Sequence, residues 1–385
     1  MINLGILGFF KYANFLLDSA NGVVVAVGYQ PLQLFDILLP VGISFYTFQS
    51  LSYTVDIYRG QLRPRTKISE YALFVSFFPQ LVAGPIVRAS EFFEQLDKKR
   101  SFSFAMAQSG VMLIMLGLVK KVVFADNLAL FVDPVFDNPQ AAGGMETLLA
   151  VYAFAFQIYF DFSGYTDIAI GVAKLLGFTF PKNFNHPYLA LSIQDFWRRW
   201  HMTLSRWLRD YLYISLGGNR KGAWKTQRNL FLTMFLGGLW HGASWNFAVW
   251  GVLHGVYLAI ERSLGKRMVF NSQSVWYRLT KWLIVFHLVC FAWIFFRAND
   301  FSYSTKIISN IVMMKGDFIL DASTIFTASL VLLMPAVHWF GAKIDLAGNS
   351  EKMGTIPYIF WQSIFALFLV FFYSKGGDSF MYFQF

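Results

Sequence analysis

The stretch Phe231-Leu-Thr-Met-Phe-Leu-Gly-Gly-Leu-Trp-His-Gly-Ala243 places a histidine inside an apolar run that carries no charge between Arg228 and Glu261. An ionisable ring in a segment of this hydrophobicity costs free energy in a bilayer unless it faces a polar cavity or a partner. Histidine also titrates near neutral pH, which makes it the commonest general base. The stretch therefore predicts a membrane-embedded helix with His241 as a functional group.

The composition of the whole chain agrees with a membrane location. Of 385 residues, 56% are hydrophobic, 19% aromatic and 14% charged, whereas soluble domains carry roughly 25% charged residues. The net charge of +10 lies in short loops between apolar runs, which is typical of cytoplasmic loops rather than of a nucleic-acid-binding surface. The single cysteine, Cys290, excludes an intramolecular disulfide. We predict an integral membrane protein that does not bind nucleic acid.

The apolar runs predict an all-α, polytopic fold. They lie at about 38–58, 71–87, 104–119, 147–160, 162–178, 229–243, 244–260, 282–296, 322–340 and 358–373. Several are shorter than the ~20 residues of a straight span, which predicts re-entrant or broken helices. The run 71–87 contains Pro79 and Gly84-Pro85 and has basic loops on both sides, so we expect it to enter and leave by one face.

A second histidine, His201, lies in the aromatic and basic segment 196–210. Read as one helix, this segment has Trp and Leu on one face, Arg198, Arg199, Arg206 and Arg209 on the other, and His201 at the border. It predicts an interfacial helix whose arginines contact lipid headgroups. Alternatively, the arginines also receive an anionic cytosolic donor, with His201 at the mouth of a tunnel. Segment 195–228 carries eight Lys or Arg against two Asp, a balance of +6, so we predict that it faces the cytoplasm.

Other ionisable residues in apolar surroundings have simpler interpretations. Asp161 and Asp167 require partners, and internal ion pairs or N-caps at a helix break near Ser163-Gly164 are favoured over a proton relay. His254, His287 and His338 are interpreted as structural, although His254 is close to His241 in sequence. The spacing of the histidines is not that of a zinc motif, so no metal site is predicted.

Several blocks together resemble the membrane-bound O-acyltransferase (MBOAT) family, and most closely its bacterial alginate O-acetyltransferase branch. The blocks are Leu81-Val-Ala-Gly-Pro-Ile-Val-Arg, Asp161-Phe-Ser-Gly-Tyr-Thr-Asp-Ile-Ala, Asn183-Phe-Asn-His-Pro-Tyr, the segment 196–214, Leu239-Trp-His-Gly-Ala-Ser-Trp and the closing Tyr382-Phe-Gln-Phe. The resemblance implies one membrane-embedded acyltransferase domain over 1–385. Family members usually begin with two or three further helices before the Gly-Phe-Phe-Lys-Tyr-Ala-Asn block that starts here at Gly8.

The resemblance also implies a function and a site. A helical bundle with re-entrant and interfacial helices would surround a tunnel, and an acetyl group from cytosolic acetyl-CoA would pass to hydroxyls of an exported polysaccharide or a partner protein. His241 matches the essential histidine of the family and His201 the second one. Arg198, Arg209, Trp200, Asn246 and Asp161 are further candidates for the donor site or tunnel. No bound cofactor or metal is implied, since acetyl-CoA is a co-substrate.

Two other classes of function remain open from the sequence. A transporter or flippase for a lipid-linked or acylated cell-envelope precursor would also place polar residues in the membrane, although no inverted repeat is visible. A structural subunit of an export complex would make the histidines dispensable. For the acyltransferase, we expect residence in the bacterial inner membrane and an extracytoplasmic partner of the SGNH type. The acceptor glycan is not predicted.

Overall fold

The computed structural model describes residues 2–81, 84–99, 101–265 and 274–373. Within these ranges the chain forms helices, turns and extended loops, and no strand, so the all-α prediction is confirmed for them. The closing Tyr382-Phe-Gln-Phe block, and Val82 and Ala83 of the block at 81–88, lie outside the described residues.

In the first half of the chain the described residues form eight α-helices. They are α1 (Ile2–Leu7), α2 (Ala13–Ala26), α3 (Ile43–Tyr58), α4 (Ile68–Ser76), α5 (Ala89–Leu96), α6 (Phe104–Leu118), α7 (Asp126–Asp137) and α8 (Gly144–Leu175). A π-helical turn, Gly8–Tyr12, joins α1 to α2, and another, Val119–Ala125, joins α6 to α7. Each of these pairs therefore runs as one continuous helical rod with an irregular turn inside it.

The second half continues with shorter helices around the two histidines and longer ones after them. They are α9 (Ile193–Arg199), α10 (Met202–Trp207), α11 (Ala223–His241), α12 (Trp245–Gly265), α13 (Val275–Arg297), α14 (Phe301–Met313), α15 (Ala322–Lys343), α16 (Leu346–Ser350) and α17 (Thr355–Phe371). A third π-helical turn, Leu208–Tyr213, extends α10.

The central element is α8, which packs against α6, α7, α13, α14 and α15. Its contact with α6 depends on glycine. A Cβ on Gly117 would lie 2.5 Å from the carbonyl oxygen of Gly164, and a Cβ on Gly171 would lie 2.5 Å from that of Gly110. Small residues that let two backbones approach closely are typical of helix pairs in membranes. These four glycines set the α6–α8 separation.

The predicted break near Ser163-Gly164 is wrong, because α8 runs through both residues without interruption. The glycine serves the close approach to α6 instead of ending a helix. The prediction of internal ion pairs is confirmed: Lys121 Nζ lies 2.7 Å from Asp161 Oδ1, and Lys120 Nζ lies 2.5 Å from Asp167 Oδ2. The π-helical turn after α6 thus presents two neighbouring lysines to two carboxylates of α8.

Two of the described helices, α13 and α15, are long and apolar enough to cross a bilayer, and α17 is a shorter apolar helix. The outward faces of α15 and α17 are strongly apolar, with Leu332 79% and Ile356 83% exposed. Exposed apolar surface of this kind marks contact with a membrane or another protein. The 9-residue α4 spans about 14 Å, too short to cross, but the re-entrant path of 71–87 stays a prediction.

Candidate active site

The segment 196–210 is not one helix, which corrects the helical-wheel interpretation. Helix α9 ends at Arg199, and His201 adopts the left-handed conformation with φ of 42° before α10 begins. A wheel drawn through the whole segment loses its phase at this point. The break places His201 at a sharp corner of the backbone, where its ring points into the protein interior and is fully buried.

The corner at His201 is held by the loop that precedes α9. The Met202 N–H donates to the carbonyl of Asn183 at 2.9 Å, and the side-chain oxygen of Asn183 accepts from the Thr203 hydroxyl at 2.9 Å. The Thr203 hydroxyl oxygen also accepts from the Ile86 N–H at 3.0 Å. Three sequence blocks therefore meet at one polar junction behind His201. Asn183 lies in one of the family-like blocks, but no role is predicted for it from the sequence.

His241 is the last residue of α11, and only 5% of it is exposed. Aromatic rings enclose its imidazole, with ring centroids at 5.0 Å for Trp240, 5.1 Å for Trp250 and 5.3 Å for Phe296. The chain then turns through Gly242, where a Cβ would lie 2.0 Å from the ring of Phe247. Only glycine fits this turn, so the end of α11 is fixed at His241.

The two histidines lie together. Their ring centroids are 6.4 Å apart at an interplanar angle of 74°, and the His201 ring also lies 4.8 Å from Phe162 of α8. Neither ring nitrogen of His201 has a hydrogen-bond partner among the described residues. Buried polar atoms are nearly always hydrogen-bonded in native proteins, so this imidazole is suited to a substrate or a water molecule.

A third histidine, His254, lies on the far side of Trp250. Its Nδ1 accepts a hydrogen bond from Trp197 Nε1 at 3.3 Å, and its ring is 4.9 Å from that of Trp250. Trp250 therefore separates His254 from His241. The geometry fits the structural interpretation of His254. In the part of the chain that the structure describes, no group of three His, Cys, Asp or Glu is arranged to hold a metal ion.

A cavity of about 860 Å³ opens between α9, α10, α11 and α12, within the usual range of small-molecule sites. Basic side chains dominate its charged lining. These are Arg198, Arg206, Arg209, Arg262 and Lys281, opposed by Glu261. Arg206 is paired with Glu91 at 2.7 Å and Arg209 with Asp210 at 2.6 Å. Among the described residues, Arg198, Arg262 and Lys281 make no ion pair, so their charge is available to an anionic ligand.

The cavity lies near the two histidines, although neither of them lines it. Met202, which follows His201, lines it, and so does Trp197. The Trp197 ring lies 5.7 Å from Trp250, which contacts His241. An aromatic wall thus separates the basic cavity from the histidine pair.

The structure places the other candidate residues differently. Arg198 and Arg209 line the cavity, and their binding of an anionic donor stays a prediction. Trp200, Asn246 and Asp161 do not line it. Trp200 packs against Trp293 at 5.0 Å, Asn246 donates to the Ala298 carbonyl at 2.9 Å, and Asp161 is paired with Lys121. No role in the site is predicted from the sequence for Arg262 or Lys281, which lie far along the chain from Arg198 and Arg209.

The chain belongs to the membrane-bound O-acyltransferase family. The family model described as "MBOAT, membrane-bound O-acyltransferase family" matches residues 62–305. The resemblance of the sequence blocks to this family is thereby confirmed.

Three relatives indicate where in the family the chain lies. It is 48% identical over 300 residues to the probable alginate O-acetylase AlgI of Pseudomonas aeruginosa, covering 78% of this chain and 56% of the relative. It is 40% identical to the peptidoglycan O-acetyltransferase of Helicobacter pylori, covering 82% and 64%. It is 29% identical to the teichoic acid D-alanyltransferase of Bacillus subtilis, covering 68% and 70%. The chain therefore spans less than two thirds of the length of the first two.

Proposed function

We propose that this protein transfers an acetyl group from cytosolic acetyl-CoA to hydroxyls of an exported polysaccharide or of a partner protein, with His241 as general base. The observation that carries the proposal is the buried pair of His201 and His241 next to a basic cavity. The relatives' names include two O-acetyl-transferring proteins. An acyl transfer needs a base that removes the acceptor's proton and a site that binds the donor. The buried histidine would supply the first, and the basic cavity beside it would supply the second.

The proposed chemistry uses neutral imidazole. The acceptor hydroxyl approaches His241, which takes its proton as the hydroxyl oxygen attacks the thioester carbonyl carbon. A new carbon–oxygen bond forms, the carbon–sulfur bond breaks, and the proton passes from the imidazolium to the leaving thiolate, which departs as the free thiol of CoA. Burial favours the neutral form of histidine that this step requires. His201 would bind the carbonyl or the hydroxyl through a ring nitrogen that has no partner among the described residues.

The donor would occupy the basic cavity. Coenzyme A carries phosphate groups, and Arg side chains bind phosphate through charge-assisted, often bidentate hydrogen bonds. Arg198, Arg262 and Lys281 supply charge for this purpose. The thioester end would then extend past Trp197 and Met202 towards the histidines. The protein would be a multi-pass inner-membrane protein. With 195–228 at its cytoplasmic face, the donor would enter the cavity from the cytosol.

The acceptor would arrive from the opposite side. A glycan chain cannot enter an apolar, buried site, because its hydroxyls would lose water without replacement hydrogen bonds. A short acyl group can reach the outer mouth of such a site. We therefore propose an extracytoplasmic partner of the SGNH type, which receives the acyl group or presents the sugar. Alginate, peptidoglycan and teichoic acid appear in the names of relatives, and any exported glycan with free hydroxyls fits the chemistry.

The test uses proteoliposomes that contain the protein, with radiolabelled acetyl-CoA on the cytoplasmic side and the extracytoplasmic partner and its glycan on the other side. We expect His241→Ala to abolish acetyl transfer, because the base is lost while the neighbouring rings keep their packing. His287→Ala is the matched control, since His287 is exposed and its ring lies against the carbonyl of Leu283 in its own helix. Wild-type transfer by His241→Ala, in protein that elutes as a folded species in detergent, would rule out the proposed mechanism.

The partner is tested separately. We expect deletion of a co-encoded, secreted esterase-like protein to stop polymer acetylation while this protein still inserts into the membrane. Full-rate acetylation of free polymer by the purified protein alone would show that the partner is unnecessary.

A further inference from the structure

The C-terminal end of α11 is capped by two side chains from the N-terminal π-helical turn. Lys11 Nζ donates to the carbonyl oxygens of Trp240 at 2.6 Å and of His241 at 3.1 Å. The Tyr12 hydroxyl donates to the carbonyl of Leu239 at 2.8 Å. The last four carbonyls of an α-helix have no partner inside the helix. Neighbouring residues of one distant turn therefore satisfy three of these four carbonyls in α11.

All three N–H donors of the Lys11 ammonium group have an acceptor. An ammonium group has three donors, and the third reaches the Ser44 hydroxyl at 3.3 Å. A cation at the C-terminus of a helix also interacts favourably with the partial negative charge of the exposed carbonyls. Lys11 is therefore held by α3 as well as by α11, and this contact joins three segments at the histidine site.

The position of His241 depends on this cap. The chain leaves α11 at once, with Gly242 in an extended conformation at φ of −157° and ψ of 148°. One of the Lys11 hydrogen bonds is made to the carbonyl of His241 itself. A shift of the last turn would therefore change the 6.4 Å separation between the rings of His201 and His241.

We propose that Lys11 and Tyr12 are positioning residues for His241, with the π-helical turn Gly8–Tyr12 acting as an external cap that fixes the base against His201. π-Helical turns inside helices are frequent at functional sites. This inference rests on the proposed function only for the consequence on catalysis. The cap itself is a structural feature of the end of α11 and does not depend on that function.

The kinetic test compares Lys11→Met, Lys11→Arg and Tyr12→Phe in proteoliposomes, with Lys98→Met as control because Lys98 forms an exposed pair with Glu94. We expect Lys11→Met to lower kcat about tenfold while KM for acetyl-CoA changes less than about twofold, and Lys11→Arg to recover most of kcat. Tyr12→Phe, which keeps the ring and loses one hydrogen bond, should lower kcat by about three- to fivefold. Unchanged kcat in Lys11→Met, or a loss that Lys11→Arg does not rescue at equal Tm, would overturn the proposal.

A second measurement is independent of activity. Diethyl pyrocarbonate modifies accessible histidines, and mass spectrometry follows each site. We expect the modification rate of His241 to rise several-fold in Lys11→Met while that of buried His254 stays constant. An unchanged rate at His241 would overturn the cap. If wild-type protein transfers no acetyl group, or His241→Ala transfers it normally, the proposed function fails and this measurement still decides the inference.

Discussion

The imidazole of His201 lies 6.4 Å from that of His241, with the rings at 74° to each other, although 40 positions separate them in the sequence. One histidine ends a long helix and the other occupies a left-handed corner between two short ones. The pair therefore exists only when both local structures form, and either can be disturbed without touching the other.

Two substitutions of His201 distinguish the role of its imidazole ring from the role of its left-handed backbone conformation. We expect His201→Asn to lower kcat about 100-fold, because the imidazole nitrogens are lost, while Tm stays near that of the wild type. Asn tolerates the left-handed region better than most residues, so the corner should survive. His201→Ala should lose a similar factor in kcat and also lower Tm. Acetyl transfer and thermal unfolding in detergent provide both values, and full activity of His201→Asn would assign the ring a purely structural role.

Neutralising cavity arginines should weaken donor binding. We expect Arg198→Gln to raise KM for acetyl-CoA about five- to tenfold with little change in kcat, because one charge-assisted phosphate contact is lost. Added salt should raise the wild-type KM in the same direction, since it screens exposed charges. Arg278→Gln is the control, because Arg278 is exposed on α13 and does not line the cavity. A fall in kcat at constant KM would contradict a donor site here.

The orientation of the chain can be measured at Asn219, an exposed residue in the turn between α10 and α11. In a Cys290→Ala background, which removes the one cysteine in the sequence, Asn219→Cys should react with an impermeant maleimide in inverted vesicles and not in intact cells. The reason is the +6 balance of segment 195–228. Labelling in intact cells would show that the predicted topology is inverted and that the basic cavity faces the outside of the cell.

The glycine contact between α6 and α8 gives a stability prediction. We expect Gly164→Ala to destabilise the protein by about 1–3 kcal/mol, because its Cβ would lie 2.7 Å from the Gly117 carbonyl oxygen and force the helices apart. Gly22→Ala is the matched control. No atom lies within 4 Å of its Cβ position in α2, so the better helix former should leave Tm unchanged or higher. Equal Tm values for both variants would show that the α6–α8 interface adapts freely.

The sequence predicts that His201 and His241 are functional residues, because each is an ionisable group in an apolar or aromatic segment. Both also lie in blocks that resemble the family. The sequence fails to predict the corner beside His201. That break is fixed by hydrogen bonds that Met202 and Thr203 donate to Asn183, and no local pattern in 196–210 indicates a left-handed residue. A helical wheel assumes one continuous helix, so the predicted common face of Arg198 and Arg209 is not supported by the structure. Both arginines nevertheless line the cavity.

The glycine at 164 illustrates a different limit. Glycine next to serine in a long apolar run favours a break when only local propensity is considered. Its actual role depends on Gly117, 47 positions earlier. Likewise, Lys120 and Lys121 fit neither face of the membrane until Asp167 and Asp161 are seen opposite them. Partners that lie far apart in the sequence cannot be assigned without the packing of the helices.

The paired charges between the π-helical turn after α6 and α8 also bear on biosynthesis. Lys121 has a second partner within the same rod, because its Nζ lies 2.8 Å from Asp126 Oδ1, whereas Lys120 is made 47 positions before Asp167. An unpaired lysine at the centre of a membrane-spanning helix costs about 3 kcal/mol during insertion. The nascent rod formed by α6 and α7 therefore gains little by moving into lipid alone. We expect it to wait beside the insertion machinery until α8 emerges, so that Lys120 enters the membrane already paired with Asp167. The order of synthesis, as well as the final packing, would then account for Lys120 in so apolar a region.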